Sequence, residues 1–234
     1  GDLLIYKGDT IDVYYFILEQ YLQNSPSRDI FKEQNKELIM HSTGCWRGHQ
    51  ALMELREDSL FILKVYGENR QEMDLTPLFS KKGNIFIDWY TGSLTNPRNL
   101  KIYVHDDWGG YYEYETDFIF EKGILKSIEN YTNTIIPSVY MESDNLMNFV
   151  SSNINYDNVI SVSNKVKVIV SIKDADINGE IIEAEVLRNL GGNDTHSREA
   201  LRVIKSIPQW EVLYRRGEKE SRFWNIPVVF EPKD

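Results

Sequence analysis

The run Asp174-Ala175-Asp176-Ile177-Asn178-Gly179, with Glu185 six residues further on, matches the calcium-loop spacing D-x-D-x-N-G-x5-E. Its flanks say something different. Before it, Val166, Val168, Val170 and Ile172 alternate with Lys165, Lys167, Ser171 and Lys173; after it, Ile182, Ala184 and Val186 alternate with Glu183 and Glu185. Period two with one apolar face is the signature of a strand, and two such runs around Asn-Gly make a β-hairpin. At ~3.3 Å per residue, Glu185 stands roughly 20 Å along the returning strand, out of reach of an ion held at the turn. The stretch is therefore expected to be a hairpin turn, with no metal called for.

Working outward, residues 144–154 carry Leu146, Met147, Phe149, Val150 and Ile154 at near-helical spacing. Residues 197–207 predict a second helix, capped by Asp194 or Thr195, with Ala200, Leu201, Ile204 and Ile207 as its buried stripe and Pro208 as its stop. Two strands follow, at 210–215 and 222–230, joined at Arg216-Gly217-Glu218. The expected order of residues 136–234 is helix–β–β–α–β–β.

Upstream, a helix is expected within residues 15–22, and strand candidates follow at 38–42, 48–56, 59–66, 84–91, 100–105, 111–121 and 124–131. Tight polar links such as Glu57-Asp58 and Lys122-Gly123 separate several of them, which predicts an antiparallel β domain over residues 1–135, whether meander, roll or half-open barrel. The expected class is α+β in two domains, with the boundary at residues 135–138.

The order and residues from about 136 to 230 resemble the C-terminal domain of TonB-type energy transducers. The residues concerned are Val150-Ser151-Ser152-Asn153-Ile154-Asn155-Tyr156, the hairpin around Asn178-Gly179, Glu199 through Trp210, the Arg216-Gly217 turn, and Trp224-Asn225-Ile226-Pro227-Val228-Val229-Phe230. The resemblance implies a small domain of the gram-negative cell envelope, facing the periplasm, that contacts outer-membrane transporters by pairing a sheet edge with a short peptide. Partner-binding residues implied on that basis are Trp210, Val212, Tyr214, Arg215, Arg216, Arg222, Trp224 and Ile226. The chain departs from the family in carrying a β domain where a transducer has a Pro-rich linker, and in having Tyr156-Asp157 where the family has Tyr-Pro. It opens on Gly1 and enters a strand-like run at once, as expected where a leader or anchor has been removed. Any membrane association is expected through such an anchor alone.

Composition narrows the classes. The 234 residues are 41% hydrophobic and 26% charged, with a net charge of -10. A surface of that sign repels a phosphate backbone, so nucleic acid is excluded as an expected partner. Motifs of nucleophilic, phosphate-binding or zinc-protease chemistry are missing, and neither an enzyme nor a cofactor is expected. His41, Cys45 and His49 recur every fourth residue, but in a strand they spread over ~26 Å and cannot chelate one ion. A second reading, ligand capture by the β domain, rests on aromatic and acidic residues at Trp89, His105, Asp107, Trp108 and Tyr112, a combination suited to glycans or small molecules.

Overall fold

The computed structural model describes residues 1–39, 47–103, 110–220 and 224–232. It is α+β, with mostly antiparallel sheets and few helices. The described residues form two compact units, one running to Tyr131 and the other from Thr132, with Lys101–Tyr103 grouped with the second.

The first unit contains β1 (Asp2–Tyr6), β2 (Asp9–Val13), α1 (Ile17–Asn24), α2 (Arg28–Gln34), β3 (His49–Arg56), β4 (Ser59–Gly67), α3 (Thr76–Phe79), β5 (Ile85–Phe86), β6 (Gly92–Ile102), β7 (Tyr111–Glu121) and β8 (Ile124–Thr132). Its sheet runs β2-β1-β3-β4-β8-β7-β6, with β5 alongside β4. β1 and β3 are parallel, a geometry that needs a long crossover; α1 and α2 lie within it. A bridge between Tyr14 and Thr95, with Tyr14 N–H donating to Thr95 O at 2.9 Å, joins the two ends of the order. One bridge thus links the chain just after β2 to β6. Alternate residues of its strands, among them Leu4, Met53, Ile62, Phe118 and Phe120, fill one core, each worth about 1.5–3 kcal/mol of burial.

The second unit contains β9 (Thr134–Ile136), α4 (Ser143–Ser152), β10 (Val166–Ala175), β11 (Ile181–Leu190), α5 (Asp194–Lys205), β12 (Val212–Arg215), β13 (Glu218–Lys219) and β14 (Trp224–Phe230). It holds two three-stranded sheets, β11-β10-β14 and β13-β12-β9. Val166, Val168, Val170 and Ile172 pack in one core with Ala200, Val203 and Ile204 of α5. The α5 cap is Asn193, one residue before the expected pair: its side chain accepts from Thr195 N–H at 3.0 Å, and His196 Nδ1 accepts from Asn193 N–H.

Several expectations are corrected. The polar residues 28–36, given no element by their pattern, hold α2; Phe31 alone anchors it in the core. Residues 84–91 contain only the two-residue β5, and the strand expected at 100–105 starts at Gly92. Leu38 and Ile39 lie outside any strand, and residues 40–42 lie outside the described residues. Residues 134–136 belong to the second unit, because β9 pairs with β12.

Candidate functional site

β14 meets β10 in seven consecutive pairs, from Ile172–Trp224 to Val166–Phe230, with no shift in register. Among the described residues its other side pairs with no strand. Pro227 lies opposite Ile169 and has no N–H to give, so that pair is of the non-bonded kind and residues 225, 227 and 229 turn their main-chain groups away from β10. The free side therefore offers N–H groups at Asn225 and Val229 and carbonyls at Asn225, Pro227 and Val229. β11, at the opposite edge, is broken by three register shifts along β10. Such irregularities blunt an edge, whereas β14 stays straight.

The partner-binding residues expected from sequence are not all on this edge. β12 is an interior strand, paired with β9 from Val212 to Tyr214 on one side and with β13 at Tyr214 and Arg215 on the other. The Arg216-Gly217 turn folds the chain back on Glu218–Lys219 instead of joining β12 to β14, which removes the edge expected at 210–215. Trp210 and Val212 are buried in the core, and so is Ile226. Tyr214 is half-buried, while Arg215 and Arg216 are exposed at the turn. Trp224 is 37% exposed and meets Trp210 edge-on at 6.2 Å. Arg222 lies outside the described residues.

The Asp174–Gly179 turn carries its own partners. Asp176 Oδ1 accepts from the N–H groups of Glu180 at 2.8 Å and Asn178 at 2.9 Å, and these bonds, the one from Glu180 foremost, hold its carboxyl below the usual range. Asp174 bonds to Lys219 Nζ, and Glu185 pairs with Lys173 at 2.9 Å. Gly179 has φ +85°, and a Cβ there would stand 2.6 Å from Trp210 O.

The aromatic platform is dispersed. Trp89 stacks on Phe79 with ring centroids 5.5 Å apart, contacts Tyr21, and donates from Nε1 to Ile17 O at 3.2 Å, so it serves as a support for α1. Tyr112 shares a hydroxyl contact of 3.2 Å with Tyr14. His105, Asp107 and Trp108 lie outside the described residues, as do His41 and Cys45.

His49 instead belongs to a group that the sequence does not announce. Asp2, fully buried, accepts from Arg47 Nη2 at 3.1 Å and from Ala51 N–H at 3.0 Å. Arg47 lies over the Phe16 ring and reaches to 3.6 Å from Glu19 Oε1. His49 Nε2 stands 2.9 Å from the same oxygen. Burial pushes the Asp2 carboxyl up against the pull of Arg47. Burial also acts to raise Glu19, but His49 and Arg47 outweigh it and hold that carboxyl low. Glu19, Arg47 and His49 line one wall of a cavity of about 550 Å³ whose other lining includes Leu22, Phe31, Arg28 and Lys32. The one sequence signal for this place is Arg28, Lys32 and Lys36, a basic residue every fourth position in an otherwise acidic chain.

Comparison with family models, curated proteins and solved structures finds no match to this chain. Among the described residues, no helix is long and apolar enough to cross a membrane.

Proposed function

We propose that this chain is a non-enzymatic cell-envelope protein whose second unit binds protein by accepting an extended peptide as a fourth strand along β14. The observation that carries the reading is the unshifted seven-pair register of β14 with its outer side unpaired among the described residues. Strand addition uses such an edge: main-chain bonds supply affinity and alternate side chains supply selection. Trp224, exposed at the start of the strand, is the side chain best placed for that selection. The resemblance to TonB C-terminal domains supports a periplasmic setting and a periplasm-facing peptide of an outer-membrane transporter as the partner.

The test is fluorescence anisotropy with a set of extended peptides from the periplasmic faces of outer-membrane transporters. Val229→Pro removes an outward N–H and leaves the bonds to β10 in place. Binding is expected in wild type and at least about tenfold weaker in Val229→Pro, consistent with ~1–3 kcal/mol for an orphaned bond. Lack of binding by every peptide, or equal binding by the variant, overturns the proposal.

A second reading, small-molecule capture by the first unit, is favoured by the cavity beside α2. It moves the ligand site away from Trp89 and Tyr112.

A further inference from the structure

The sheet that carries the β14 edge has one face in the core and one in solvent. Val166, Val168 and Val170 of β10 turn inward against α5, so by alternation Lys167, Ile169 and Ser171 turn outward. The register sets three strands abreast on that open face. Leu190, Lys167 and Val229 form one row, Arg188, Ile169 and Pro227 the next, and Glu185, Ser171 and Asn225 the third. The charges of this face are unevenly answered. Glu231 is held by Lys165 at 2.5 Å and Glu185 by Lys173 at 2.9 Å. Lys167 and Arg188, both exposed, have no ion-pair or hydrogen-bond partner among the described residues. Two unanswered cations thus stand beside apolar side chains in a chain whose net charge is -10.

A peptide accepted by β14 widens this face by one strand. The residues it sets opposite Asn225, Pro227 and Val229 have their side chains on the open side, and those between them lie on the side of the buried Ile226 and Val228. The residue opposite Val229 is two strand spacings, roughly 10 Å, from Lys167. Only the short Val229 side chain lies between them, and a lysine leaning across it meets a carboxylate on the added strand. Arg188, further across the sheet, adds to the positive field. We propose that the segment received by β14 is acidic: apolar at every second residue, with Asp or Glu between, the one opposite Val229 answered by Lys167. A basic partner suits the net charge of the whole chain but meets like charge at this face. The assignment rests on the strand-addition reading of the second unit and adds to it the charge pattern of the partner.

The experiment is fluorescence anisotropy of the full chain with three labelled octapeptides, repeats of Val-Glu, Val-Ser and Val-Lys, at about 50 mM salt. The Val-Glu peptide is expected to bind at least about threefold tighter than Val-Ser and about tenfold tighter than Val-Lys, the reverse of the order that whole-chain charge dictates. Lys167→Gln, an exposed substitution that leaves the core untouched, is expected to bring Val-Glu to the level of Val-Ser and to leave Val-Ser unchanged. Lys205→Gln, at an exposed lysine of α5 on the other side of the sheet, is expected to change neither. If all three peptides bind wild type within about twofold of one another, or the preference for Glu survives in Lys167→Gln, the acidic assignment is overturned; loss of that binding in Val229→Pro then shows that strand addition stands. If none of the three binds but the transporter peptides do, the acidic assignment falls alone, and if nothing binds, both readings fall. Self-association that excludes the Val-Glu peptide gives the edge to a second copy of the chain and overturns the proposal as well.

Discussion

Glu199 is a buried polar group that ties separate segments of the second unit together, and its replacement by Gln tests how that unit is built. The side chain is 1% exposed. Oε1 accepts from Asn155 N–H at 2.7 Å and Arg202 Nη2 at 2.6 Å; Oε2 accepts from Asn158 Nδ2 at 2.8 Å and Arg202 Nε at 2.9 Å. The segment between α4 and β10 is thereby tied to α5. In Gln, one oxygen becomes an amino group facing two donors. Arg202 is 46% exposed and finds water, so most of its share is recovered. The loss of a charge-assisted bond to the buried side remains, about 1.5–3 kcal/mol. Amide exchange in the range where opening is pre-equilibrated is expected to accelerate by roughly 10- to 100-fold in peptides of β10 and α5, and to stay unchanged in β3 and β4. The pH dependence has a fixed sign. Although burial acts to raise it, the bonds from Arg202 and Asn155 hold the Glu199 carboxyl below the ordinary range. Its contribution is therefore full above the ordinary glutamate value near 4.3 and is lost as pH falls through the folded-state value. The gap between wild type and variant should be constant from about pH 7 to 5 and close below about pH 4. An exchange change below about threefold at neutral pH, or a gap that widens on acidification, refutes the reasoning.

Val228→Pro should do what Val229→Pro does not. Val228 is fully buried and bonds to Val168 across the ladder, so losing its N–H is expected to cost about 3 kcal/mol, read as a lower urea midpoint for the second unit, whereas Val229→Pro stays within about 1 kcal/mol of wild type. Gly123 has φ +75°, and a Cβ there would stand 2.2 Å from Ile87 O; Gly123→Ala is expected to destabilise the first unit by about 2 kcal/mol or more in thermal unfolding, and a neutral result would mean that the turn between β7 and β8 is free to move.

What the residues reveal on their own is what local periodicity controls. β10 was legible because every second residue from Val166 to Ile172 enters one core, and α5 because Ala200 and Ile204 recur at helical spacing. The α+β class followed from such segments. β6 hid because its middle reads Asn96-Pro97-Arg98-Asn99; it is a strand through remote partners, among them Asp12 O, which accepts from Asn96 Nδ2 at 2.7 Å. α2 hid because a single buried Phe31 gives no period. The pairing of β12 with β9 joins residues 76 to 80 apart, and nothing near Val212 selects Ile136 over Ile226 as neighbour. The cavity wall was invisible for the same reason: Asp2, Glu19 and Arg47 meet only once the parallel β1–β3 pair has formed.

The bridge between Tyr14 and Thr95 bears on the order of folding. Most neighbouring strands of the first unit lie close in sequence and can zip locally, but this contact must close a loop of some 80 residues, and the main-chain bond at Tyr14, the Asn96 amide and the hydroxyl contact of Tyr14 with Tyr112 are among what it gains. It is expected to form late and to part early on warming. While it is parted, nothing at Tyr14 and Thr95 holds the outer rows of β2 and β6 toward each other, and a crowded solution offers a second molecule as readily as the chain's own other end. Self-association is therefore expected to begin at the temperature at which the Tyr14 amide loses exchange protection, below the global unfolding temperature.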